Sequence, residues 1–306
     1  MPHHYQKPYS LASALVLGFL LGAGSLPAWS APMTFNTALP VAEGEFITRI
    51  QGVRRQSGDD PSSADRDLTV NALVTVLGYG ATPKLALFGV LPYLDKELRL
   101  TNEGQRVRRS KEGFGDLRLF GRYTVFQQDQ PGRTFRLAPF AGIEAPTGED
   151  DASDALGRLP PPFQLGSGSW DLFGGLVLTH QTLDDQIDSQ LSVRFNNEAN
   201  GFEAGDEARW DLSWQHRVWP RDLKGGVPGF LYGVLESNLV YQGKNEVNGI
   251  KDVNSGGTTL FLAPGLQYVT KRWIAETAIQ LPVIQDLNGT ALENDYIFRA
   301  GIRFNF

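Results

Sequence analysis

Leu68, Val70, Ala72, Val74 and Val76 alternate with Thr69, Asn71 and Thr75. A period of two marks extended chain with two unlike faces, because successive strand side chains point to opposite sides. The pattern returns at Leu117, Leu119, Gly121, Tyr123 and Val125, interleaved with Asp116, Arg118, Phe120, Arg122 and Thr124. It returns at Ile187, Leu191, Val193 and Phe195, and at Trp210, Leu212 and Trp214, each time with polar or charged residues between. A last stretch sets Phe298, Ala300, Ile302, Phe304 and Phe306 against Arg299, Gly301, Arg303 and Asn305.

About twelve such segments follow one another, near residues 43–54, 66–80, 84–92, 114–128, 133–146, 168–181, 186–198, 206–219, 229–242, 257–270, 272–283 and 294–306. Tight turns at Thr82–Pro83, Asp129–Gly132, Leu183–Asp185 and Thr270–Lys271 alternate with longer loops at 55–65, 93–113, 147–167, 199–205, 243–256 and 284–293. The connection Pro220–Pro228 breaks the alternation by its length. A soluble β-sandwich also alternates, but its strands average ~5–6 residues. Here they run to about 10–14, which suits a tilted membrane crossing, and one face carries charges of both signs, which suits a wet lumen. The pattern predicts an all-β fold: a transmembrane antiparallel up-and-down β-barrel of about twelve strands, with short turns periplasmic and long loops extracellular. Trp170, Trp210, Trp219, Trp273, Tyr79, Tyr123, Tyr241 and Tyr268 fall towards strand ends, where interfacial girdles belong.

The N-terminus agrees. His3, His4 and Lys7 precede an apolar run from about Leu11 to Leu21, and Ala28 and Ser30 fit the −3 and −1 positions of a signal-peptidase site. Residues 1–30 therefore read as an export signal and 31–306 as the barrel, delivered by Sec export to a Gram-negative outer membrane. The run is too broken for the ~20 apolar residues of a spanning helix. Composition narrows the function. There is no cysteine, and the net charge of −6 becomes −7 once Lys7 is removed. Such a chain has no thiolate metal site and is a poor nucleic-acid binder.

Alternation assigns the lumen. Inward candidates for a solute path are Asp116, Arg118, Phe120, Arg122, Arg136, Glu144, Asp171, Arg194, Arg209, Asp211, Arg299 and Arg303, with Arg49, Glu236 and Glu276 also turned inward. The signs are mixed, so pairing across strands is expected, and a plugged, salt-bridged interior is the alternative to an open pore. An outer-membrane hydrolase is the competing class. His180 and His216, the histidines left after export, fall at periplasmic strand ends, and no GxSxG occurs. No catalytic residue, metal or cofactor is expected; the expected partners are membrane lipids, the barrel-assembly machinery and a small hydrophobic solute.

The closing FRAGIRFNF (298–306) resembles the final strand of outer-membrane proteins, with Phe304 and Phe306 as the barrel-assembly signal. GFGDLRLFGRY (113–123), PTGED (146–150), GSGSWD (166–171) and GFEAGDE (201–207) resemble the outer-membrane family named for the MetA pathway of phenol degradation, over roughly residues 113–220. The resemblance implies a barrel that passes or binds small hydrophobic or aromatic compounds, and it brings no catalytic residues.

Overall fold

A computed structural model describes residues 30–222 and 229–306. The expected export signal, apart from Ser30, and most of the Pro220–Pro228 connection lie outside the described residues. The chain forms a closed barrel of twelve antiparallel staves. They are β1 (Phe46–Ser57), β2 (Asp67–Gly80), β3 (Leu85–Asn102), β4, β5 (Arg133–Ala145), β6 (Asp171–Thr182), β7 (Asp185–Phe195), β8 (Glu207–Trp219), β9 (Phe230–Gln242), β10 (Gly257–Val269), β11 (Trp273–Leu287) and β12 (Tyr296–Asn305). Stave β4 consists of three runs laid end to end, Gln105–Phe114, Leu117–Tyr123 and Phe126–Gln130. Each stave pairs with its sequence neighbours, and β12 closes the wall on β1 with Arg303 opposite Arg49. Phe306 extends the seam: its N–H donates to the Phe46 carbonyl (2.9 Å) and its carbonyl accepts from the Phe46 N–H (2.7 Å).

The barrel is inside-out relative to a soluble protein. Leu172 and Leu191 point outwards and are more than half exposed (56% and 57%), as are Trp170 and Trp219 (59% and 51%). Gln215, Gln267, Glu236, Asn238, Asp188 and Asp211 are fully enclosed. Contiguous exposed apolar surface on this scale marks a lipid-facing band.

One loop expectation is corrected. Residues 93–113 are not a loop: β3 and the first run of β4 continue as a hairpin to a turn at Glu103–Gly104. Charge density made the segment read as a loop. Beyond the lipid, charged residues such as Glu97, Arg99 and Arg108 can face outward, while Leu98 packs inward on Ala152, Leu159 and Phe163 of the 146–170 loop. The pairing register slips by one residue between Tyr93↔Phe114 and Val90↔Arg118, so outward positions change parity at Gly115–Asp116.

Candidate functional site

The segment Ser30–Ala42 belongs to no stave. It enters the lumen as a strap whose polar main chain is satisfied by side chains of the wall. Glu236 on β9 accepts from the Met33 N–H (2.7 Å), the Thr34 N–H (3.1 Å) and the Thr34 hydroxyl (2.6 Å). Gln267 on β10 both accepts from the Ala31 N–H (3.3 Å) and donates to the Ala31 carbonyl (2.9 Å). Thr179 on β6 receives the Ala38 N–H (2.7 Å), and Arg49 and Arg122 donate to the carbonyls of Met33 and Leu39, each at 2.6 Å. Met33, Ala38 and Val41 fill three separate apolar contacts with the wall. These partners lie mostly in the half of the barrel nearer the tight turns, and the strap leaves the lumen through a bridge between Glu43 and Gly80. A side chain at Gly80 would sit 1.9 Å from the Ala42 carbonyl oxygen, so this exit requires glycine.

Between the strap and the wall formed by β12 and β1–β8 lies a cavity of about 380 Å³. The pairing register explains its lining. One level of the wall reads Arg303, Arg49, Val76, Val90, Arg118 and Glu144 across β12 to β5. The next reads Ile47, Gly78, Phe88, Phe120, Gly142, Phe173 and Arg194 across β1 to β7. Here aromatics sit beside glycines: an added side chain at Gly78 would lie 2.7 Å from the Phe88 ring, and one at Gly175 would lie 2.8 Å from the Phe140 ring. The rings form one cluster, with Phe120 centred 4.7 Å from Phe88, 5.9 Å from Phe173 and 6.1 Å from Phe140. The Arg122 guanidinium lies 4.9 Å above the Phe88 ring.

A second, polar cavity of about 250 Å³ lies under the long loops at the other end of the barrel. Asp116, Glu144, Asp171 and Arg194 line it together with Asp150, Ser167 and Asn197. Arg194 lines both cavities, and Glu144 binds Arg118 (2.7 Å) and Arg194 (3.3 Å), so a three-residue ionic cluster stands at the junction.

The sequence-predicted residues divide accordingly. Arg118, Phe120, Arg122, Arg194, Arg209, Arg299 and Arg303 line the inner cavity. Asp116 instead fastens the 146–170 loop, accepting from the N–H groups of Gly148 (2.9 Å) and Ser167 (2.6 Å), and Asp171 accepts from Ser169 and Asn197. Asp211 is enclosed between Arg209 and Asn238 and touches neither cavity. Arg136 pairs with Asp129 (3.3 Å) near the tight-turn rim, also away from both. The pattern missed the strap and the apolar lining residues Val74, Val76, Phe88, Phe140 and Phe173. His216 bonds Asp185 (2.8 Å) beside the 183–184 turn, and His180 lies near Phe135. Among the described residues no group of His, Asp and Glu has the arrangement of a metal site.

A closed, lipid-faced barrel with a polar interior and two internal cavities that share Arg194 defines the class: this is an outer-membrane β-barrel with a channel-like, porin-like fold. The chain belongs to the family described as "Putative MetA-pathway of phenol degradation", whose model matches residues 51–280. Among solved structures it is similar to the COG4313 outer membrane channel from Pseudomonas putida F1, at 16% identity and a TM-score of 0.67, covering 91% of this chain and 100% of that one. It is more loosely similar to the β domain of the Bordetella autotransporter Brka, at 15% identity and a TM-score of 0.46, covering 87% and 100%. No curated protein matches the chain.

Proposed function

We propose that the chain is an outer-membrane channel through which small hydrophobic or aromatic solutes diffuse passively, entering by the polar outer cavity and lodging against the Phe120 cluster. The inner cavity carries this reading: about 380 Å³ is within the range of small-molecule sites, and beside its arginines the wall carries an aromatic cluster, Phe88, Phe120, Phe140 and Phe173, where a general porin lumen would be polar. The Arg118–Glu144–Arg194 cluster is the step between the two cavities. The strap supports a resting state closed on the periplasmic side, so passage requires the strap to shift. In the same reading the export signal is removed near Ser30, the final Phe304 and Phe306 are read by the barrel-assembly machinery, and the outer band meets membrane lipid. No reaction is assigned to the chain.

Liposome-swelling flux of benzyl alcohol through the refolded full chain, compared with a variant lacking residues 31–41, tests the reading. Saturable flux that rises when the strap is removed is expected. A folded barrel that passes no aromatic solute, with or without the strap, refutes it.

A further inference from the structure

The charge on the cavity surface is one-sided, although the lumen as a whole is mixed. Its lining contains arginines from β1, β4, β7, β8 and β12 but, among the described residues, only one carboxylate, Glu207. Behind them, Glu276 is shared by Arg49 (2.5 Å) and Arg303 (3.9 Å), and Glu144 by Arg118 and Arg194. The buried Glu236 and Asp188 are turned to the strap and its neighbours and accept several hydrogen bonds each. Two arginines in the lining, Arg122 and Arg299, have no carboxylate within 4 Å among the described residues. Arg299 donates to Gln280 (2.7 Å) and Gln51 (3.1 Å), both neutral. Arg122 gives one N–H to the Leu39 carbonyl, leaving other donors of its five.

Arg122 adjoins the aromatic wall, with its guanidinium 4.9 Å from the Phe88 ring. Arg118, Phe120 and Arg122 are successive inward positions of one stave, so their Cα atoms are spaced roughly 6.6 Å along the strand. That spacing is on the scale of an aromatic ring and an attached carboxylate. A neutral aromatic would cover the rings and leave the guanidiniums without counter-charge. A carboxylate on the ring would add charge-assisted, two-pronged hydrogen bonds, for which the guanidinium fork is shaped.

We propose that the inner cavity is a binding site for an aromatic carboxylate, with the ring against Phe88, Phe120 and Phe173 and the carboxylate on Arg122. This rests on the channel reading for its path, and extends it by naming the solute as an anion. Arg299 holds the second uncompensated charge and draws the anion into the cavity. Arg118 and Arg194, at the junction with the outer cavity, pass the anion inward past Glu144.

The test is calorimetric titration of the refolded full chain in detergent with sodium benzoate, benzyl alcohol and sodium acetate. Benzoate should bind at least tenfold more tightly than benzyl alcohol, which has the ring without the charge, and than acetate, which has the charge without the ring. Arg122→Gln should weaken benzoate tenfold or more and leave benzyl alcohol within twofold, whereas Phe120→Ala should weaken both. Because Arg122 also holds the strap, Arg299→Gln serves as an independent variant and should weaken benzoate severalfold. Equal binding of benzoate and benzyl alcohol, benzoate no tighter than acetate, or benzoate affinity unmoved by both arginine changes overturns the proposal. The channel reading fails separately: benzoate binding by a barrel that passes no solute refutes the channel and keeps the site, and flux of benzyl alcohol without benzoate preference does the reverse.

Discussion

The strap's hold on Glu236 is open to direct measurement. Glu236→Gln keeps the side-chain volume but leaves one oxygen acceptor and turns an NH2 group towards donors. The carboxylate now accepts from two strap N–H groups and one strap hydroxyl. The amide cannot serve all three, so at least one donor loses its partner. A hydrogen bond to a charged group contributes about 1.5–3 kcal/mol. At about 1.4 kcal/mol per tenfold, the population with the strap displaced should rise between about tenfold and a hundredfold. Since the chain has no cysteine, Met33→Cys places a single thiol at a site that is 1% exposed. Its reaction rate with N-ethylmaleimide in detergent, well below saturation, reports the displaced population. We expect the double variant to react at least ten times faster than Met33→Cys alone, with unchanged heat resistance of the folded barrel on gels. Equal rates would show that Glu236 does not anchor the strap.

Three further outcomes follow from the wall and loops. Gly78→Ala should push the Phe88 ring into the inner cavity, because the new methyl would lie 2.7 Å from it; loss of benzyl alcohol binding with normal barrel formation is expected, and unchanged binding would count against the cavity as the site. Leu119→Arg, on the lipid face, should cost roughly 2–4 kcal/mol in urea titrations in liposomes, and a loss below about 1 kcal/mol would mean that the register is wrong. In the β1–β2 loop, burial would raise the Asp60 carboxyl, but hydrogen bonds from Arg66 and Ser62 outweigh it and hold the group well below the usual carboxylate range. That contribution is present above an unfolded pKa of ~3.9 and is lost as pH falls through the lowered folded value; pepsin should leave the loop intact near pH 4 and cleave it increasingly towards pH 2, while Asp60→Asn should be cleaved throughout.

Alternation in the sequence was enough to predict the twelve staves, because each crosses lipid and must show it an apolar face. Arg118, Phe120 and Arg194 were readable for the same reason. Val74, Val76, Phe88 and Phe140 were not, since apolar residues on an alternating strand are ordinarily assigned to lipid, and only the register shows that Phe88 and Phe140 lie beside glycines of the neighbouring staves. The strap left no periodic trace at all. Its partners are side chains such as Glu236 and Gln267, more than 200 positions away, so nothing local to residues 30–42 announces where they lie. The 93–113 hairpin misled because charge on a strand means lumen within the membrane and solvent beyond it.

Those separations also set an order of events. Contacts between residues far apart in the chain carry the largest loop-closure entropy and form slowly. The strap's bonds to β6, β7, β9 and β10 cannot all exist until most of the wall has been laid down, and its exit beside Gly80 ties it to the edge of β2. The last step of maturation is then a wire-like first segment seating itself in a nearly finished cylinder. On the channel reading, each newly inserted molecule would pass through an interval in which the membrane leaks, and the speed of strap seating would limit how long that leak lasts.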